Sequence, residues 1–224
     1  MRISQLSAES GVPIPTIKYY LREGLLPQGE PMARTRAEYG ERHLRRLRLI
    51  RTLLEVGRLP LSAIHRVIAA VEDEDLPVHD MLGTAHYALS RPPEPHDDDD
   101  WHQAREQVDR LLADLDWQVH PQAPTRDELA HLLITMRRLD MPATAHTLLP
   151  YAMIAHRLVA ELDLRTIPFD GPRDLAVESL VLGSVLYGKA FDVLRRLAQE
   201  SESARLLGVP RTSYDRSADD RSER

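Results

Sequence analysis

Apolar residues recur at helical spacing through most of the chain, and glycine, proline and charge runs punctuate them. Ile3, Leu6 and Val12 form a first short set, with Ser4 placed to cap a helix that stops near Gly11. Gly11 offers the positive φ that a sharp turn between two helices needs. A second helix then carries Ile14, Ile17 and Leu21 on its apolar side, with Pro13 and Pro15 tolerated in a first turn that has no internal amide bonds to lose. Thr16, Lys18, Tyr19, Tyr20 and Arg22 project elsewhere, Gly24 closes the helix, and Leu25 and Leu26 return the chain to a core. Residues 28–39 hold Gly and Pro and little periodicity. From Glu41 the stripe Leu44, Leu47, Leu49, Ile50, Leu53 and Leu54 predicts a helix ending at Gly57, and Leu61 to Val71 predicts another beyond Pro60.

The pattern breaks at Glu72–Asp75 and Pro77, leaves a short helical segment from Val78 to Leu89, and stops again at the proline-rich, acidic run 91–100. Beyond it Trp101, Ala104, Val108, Leu111, Leu112 and Leu115 keep a 3.6-residue period. Thr125 to Glu128 reads as a capping box opening the next helix, which carries Leu129, Leu132, Leu133, Met136 and Leu139. A further helix runs from Thr144 to Leu164, with Pro150 expected to kink or cut it. Asp170-Gly-Pro172 opens the last and longest, to about Glu200. It is apolar on too many sides for one neighbour, and its small residues, Gly183 and Gly188 among them, permit close approach by a second subunit. The tail after residue 208 is polar and charged, and disorder is expected there. No strand, repeat or membrane-length apolar run interrupts the second half.

The 224 residues suffice for one or two domains with a real core. The chain has no cysteine, which excludes disulfides, zinc fingers and thiolate metal sensing. The formal charge of −6 misleads until it is divided. Residues 1–68 carry 12 Lys/Arg against 6 Asp/Glu, so +6, and the remainder carries 17 against 29, so −12. The basic excess lies where the two short helices lie, and phosphate binding depends on such local cations. A start without a signal-like apolar stretch makes the cytoplasm the expected location.

Two helices across a glycine turn, the second bearing Thr, Lys, Tyr and Arg, form a helix-turn-helix pattern. Ser10-Gly11-Val12, Thr16-Ile17-Lys18-Tyr19-Tyr20 and Glu23-Gly24-Leu25-Leu26-Pro27 together resemble the start of a MerR-family transcriptional regulator. The resemblance implies a β wing over residues 28–39, with Arg34 and Arg36 as phosphate or minor-groove candidates and Tyr39 packing the wing onto the helices. Thr35-Arg36-Ala37 departs from the family's usual Gly-Tyr-Arg there. The fold expected is all-α with a small β wing. Residues 1–71 form the winged helix-turn-helix, 72–100 a short helix and linker, 101–208 a helical effector-binding and dimerisation domain, and 209–224 a disordered tail. The stretch Val181 to Gly188 is similar to the C-terminal dimerisation helices of TetR-type regulators.

The DNA-binding candidates are therefore Thr16, Lys18, Tyr19, Tyr20, Arg22, Arg34, Arg36, Tyr39 and Arg42. One tyrosine of the pair is read as a phosphate donor and the other as packing, without a choice between them. Lys18 replaces the family's usual arginine, keeping charge and losing the bidentate fork. Trp101, Trp117, Met136, Tyr151 and Tyr187 are candidates for an apolar or cationic effector site. Gly183, Gly188 and Phe191 are candidates for the dimer contact. Paired histidine spacing, phosphate loops and catalytic acid pairs are not found, so neither a metal, a cofactor nor an enzyme activity is expected. The function expected is transcriptional regulation by a homodimer on a palindromic promoter site in double-stranded DNA. RNA polymerase and a small-molecule effector are compatible partners, and membranes are not. The alternative is a ligand-independent repressor or architectural DNA-binding protein.

Overall fold

A computed structural model describes residues 1–33, 36–90 and 98–209. Its order is α1 (Ile3–Ser10), α2 (Ile14–Arg22), β1 (Glu30–Ala33), β2 (Arg36–Glu38), α3 (Glu41–Arg51), α4 (Leu61–Glu72) and α5 (Val78–Leu89), then α6 (Asp99–Asp114), α7 (Pro124–Arg138), α8 (Ala145–Glu161), α9 (Arg173–Leu182) and α10 (Gly188–Leu206). A π-helical turn, Thr52–Val56, extends α3, and another, Gly183–Tyr187, lies between α9 and α10. A 3-10 turn spans Asp163–Thr166. The fold is thus mostly helical, with one antiparallel two-stranded ribbon pairing Glu30 with Glu38 and Pro31 with Ala37. The chain divides into two compact units, Met1–Ser184 and the residues from Val185 onward.

Local chemistry accounts for most boundaries. Gly11 ends α1 at φ 68° and Gly24 follows α2 at φ 72°, both in the left-handed region that costs a glycine least. Pro13 precedes α2 and Pro15 sits in its first turn. Two caps differ from expectation. Ser4 lies inside α1, which starts at Ile3 after Arg2, where the Arg2 amide donates to the Gln5 side chain at 2.7 Å. Thr125 likewise lies inside α7. That helix begins one residue earlier with Pro124 at its first position, where the ring's fixed φ is already helical. Pro150 does not divide α8, which runs through it from Ala145 to Glu161. The Thr144 hydroxyl caps that helix, accepting from the Thr147 amide.

In the first unit Leu6, Ile17, Leu25, Leu26, Leu47, Ile50, Leu53, Ile64 and Met81 form the N-terminal core. α9 joins this core from the far end of the chain, packing on α3, α4 and α5. Its Ala176, Val177, Leu180 and Val181 are buried, and so are its carboxylates Asp174 and Glu178. A second cluster lies between α6 and α7, built from Ala104, Val108, Leu112, Ala130, Leu133, Ile134 and Ala143. No helix among the described residues is long and apolar enough to cross a membrane.

Candidate nucleic-acid interface

α1 and α2 meet across the Gly11 turn, and Ser10 and Ser7 lock it. The Val12 amide donates to the Ser10 hydroxyl at 3.2 Å, and the Ser7 hydroxyl donates to the Val12 carbonyl at 2.7 Å. In α2 the buried side is Ile17 with Tyr20, while Ile14 and Leu21 are only half-buried. Lys18 and Arg22, one turn apart, are exposed, and Thr16 and Tyr19 are half-buried beside them. The two tyrosines therefore occupy different environments. Tyr20 is 7% exposed, and its ring meets that of Tyr19 at 5.9 Å. Burial, then the nearby Glu55 carboxylate, pushes the Tyr20 phenol above its ordinary range, so it stays neutral and serves as packing.

The ribbon hangs from a compact root. Tyr39 is buried, its amide donates to the Met1 carbonyl at 2.8 Å, and its ring stands edge-on to His43 with centroids 5.1 Å apart. A Cβ at Gly29 would lie 2.8 Å from the Glu38 carbonyl oxygen, so only glycine lets β1 leave so close to β2. Arg36 lies in β2. Arg34 lies outside the described residues. Arg42, in the first turn of α3, is exposed.

The other arginines of α3 are already engaged. Arg46, 3% exposed, pairs with Glu72 of α4 at 2.9 Å. Arg45 lies 3.3 Å from Asp174, and Arg48 lies 3.0 Å from Glu178, both on α9. Arg51 holds Glu55 at 3.1 Å, a hydrogen bond that keeps the Glu55 carboxyl below its ordinary range. A groove of about 620 Å³ runs along this face, lined by Arg45, Arg48, Arg51, Glu9, Glu41 and Glu55 among others. Its cations are matched by carboxylates and do not form a free phosphate cradle. Arg173 completes the attachment of α9 by donating to the Ala70 and Val71 carbonyls at 3.0 and 3.1 Å, where the end of α4 leaves acceptors unpaired. Sequence reading missed this role of Asp174 and Glu178, since the signal is a contact across more than a hundred residues. It also missed His43, whose position three residues after Gly40 was the available clue.

A Lys18/Arg22 face on the second of two helices, beside a ribbon rooted on the third, is the geometry of a winged helix-turn-helix. Residues 1–71 match the MerR HTH family of regulatory proteins. Residues 1–71 are therefore a MerR-family helix-turn-helix domain. They form a MerR-type DNA-binding domain, and the family consists of transcription regulators, not enzymes. The chain is 31% identical over 80 residues to a mercuric resistance operon regulatory protein of Bacillus cereus, a match spanning 36% of this chain and 60% of that protein. It is similar over nearly its whole length to the crystal structure of a candidate transcriptional regulator, SCO5550 of Streptomyces coelicolor A3(2). There the identity is 40% and the TM-score 0.73, covering 94% of this chain and 99% of the other.

The remaining candidates separate. Trp101, Trp117 and Met136 pack, partly buried, against the α6–α7 cluster, and Trp117 stacks on His156 at 5.9 Å. Tyr151 on α8 is exposed. Tyr187, at 59% exposure, belongs to the second unit, as do the exposed Gly188 and Phe191. Gly183 is buried in the first.

Proposed function

We propose that the protein regulates transcription as a homodimer, each subunit placing α2 in the major groove of one half of a palindromic promoter site. The observation that carries the reading is the exposed Lys18/Arg22 face on a helix whose other side, Ile17 and Tyr20, is buried. Thr16 and Tyr19 flank this face as the nearer contacts, and Arg34, Arg36 and Arg42 are assigned to the backbone beside it. Tyr20 and Tyr39 act through packing. A family domain that reads DNA needs cations beside phosphates, and the local charge of residues 1–68 supplies them.

The dimer reading is supported by α10, in which no residue is buried although Phe191, Val193, Leu194 and Leu197 are large and apolar. Exposed apolar area of that extent is typical of an interface. The two tryptophans and Met136 around the α6–α7 cluster support an effector site there, with Tyr151 and Tyr187 as outlying candidates. Without cysteine the effector is not a soft metal held by thiolates.

The test is binding of a duplex taken from upstream of the protein's own gene, followed by fluorescence anisotropy at several salt concentrations. Lys18→Ala is expected to weaken binding and to reduce the salt slope by about one, as for one lost phosphate contact. An unchanged slope and affinity would remove α2 from the interface.

A further inference from the structure

We propose that His43 is the positioning residue of the wing: its imidazole ties the chain just before β1 to the chain just after β2. The Gly40 amide donates to His43 Nδ1 at 3.0 Å, and His43 Nε2 faces the Gln28 carbonyl at 3.4 Å. Gln28 and Gly40 are the two feet of the ribbon, flanking β1 and β2. The ring is buried and stands edge-on to Tyr39, which itself bonds the Met1 carbonyl. One side chain therefore closes the ribbon's root and caps α3 in the same act, since Gly40 precedes that helix.

The arrangement demands one tautomer. Nδ1 accepts an amide hydrogen, so it carries a lone pair, and the proton sits on Nε2, directed at the Gln28 oxygen. A hydrogen on Nδ1 would face the Gly40 amide hydrogen, so the other tautomer does not fit this contact. The ribbon is therefore held by the tautomer that leaves the Nδ1 lone pair free for the Gly40 amide. Its bearing on DNA rests on the proposed function, in which the wing lies against the duplex.

Two readouts on the full chain separate the two claims. The first is amide hydrogen exchange of residues 28–40, corrected for intrinsic pH dependence. His43→Ala is expected to accelerate it about fivefold at neutral pH, the usual scale for a lost cap, and to leave α4 unchanged. His43→Asn keeps an acceptor where Nδ1 stands, so it is expected to retain slow exchange. Equal exchange in wild type and His43→Ala, or exchange in His43→Asn as fast as in His43→Ala, would overturn the assignment. The second is the salt slope on the upstream duplex, expected to fall by about one or more in His43→Ala as wing contacts are lost. A loosened wing with an unchanged slope would overturn the positioning role. Wild type failing to bind the duplex at any salt would instead sink the DNA reading, and the exchange result would still decide whether His43 holds the ribbon.

Discussion

α3 and α10 are both arginine-bearing helices with long apolar sets, and the protein finishes one and leaves the other open. α3 buries Leu47, Leu49 and Ile50 completely, and it also buries His43 and Arg46, with partners for His43 Nδ1 and Arg46 Nη1. α10 spans Gly188 to Leu206 without burying one residue, and its Leu194 is 61% exposed. The sequence pattern of each says only that an apolar face exists. α1 and α9 cover the face of α3 within one chain, so burial there is folding energy. For α10 the cover proposed here is a second subunit, so burial there is association energy. The two regions should therefore answer mutation in different experiments.

The largest expected effect is on the finished side. Leu47→Ala is expected to cost about 2–5 kcal/mol of stability, read as a lower denaturant midpoint independent of protein concentration. Next is the charged attachment of α9. Glu178 is buried while its partner Arg48 is mostly exposed, and a freed Arg48 recovers water. Glu178→Ala is thus expected to cost about 1–2 kcal/mol, below the figure for a wholly buried pair. A loss near zero would mean that the Arg48–Glu178 pair adds nothing to the attachment of α9. On the open side, Phe191→Glu with Leu194→Glu is expected to shift sedimentation toward monomer while the chemical unfolding of the N-terminal core stays unchanged. If the double variant remained a dimer, the interface would lie elsewhere.

Smaller effects sharpen the same contrast. Asp116 and Asp140 adopt φ 52° and 54° just beyond α6 and α7, where a side chain is strained. Asp140→Gly is expected to stabilise the fold by about 1 kcal/mol in thermal melts, a gain that would be absent if the turn relaxed. The smallest is the Arg51–Glu55 pair. Glu55 has a lowered pKa in the folded chain, so its stabilisation is present above the ordinary carboxylate pKa and disappears as pH falls through the folded value. The melting difference between wild type and Glu55→Gln is expected at neutral pH and is expected to vanish in strong acid.

What could be read from the sequence was local. Gly11 and Gly24 announced their turns, Val78–Leu89 announced α5, and the joint motif of residues 10–27 announced the helix-turn-helix. These depend on short-range sterics and periodicity, which a sequence carries openly. Ser4 and Thr125 misled because a good capping residue competes with its neighbours, and Pro124 prevailed at α7. Asp174 and Glu178 gave no warning of their burial, because their partners Arg45 and Arg48 lie more than a hundred residues away. Asp116 and Asp140 hid their left-handed turns behind residues that seldom adopt them. In the candidate site, the exposed positions of Lys18 and Arg22 were legible from helical spacing, and the different burial of Tyr19 and Tyr20 became visible only with the packing.

The central claim is that two subunits present two α2 helices to one duplex. Hydroxyl-radical footprinting of the upstream DNA at saturating protein tests it most directly. The account predicts two protected patches with centres about one helical turn, or a whole number of turns, apart. A single protected patch under the same conditions would contradict it.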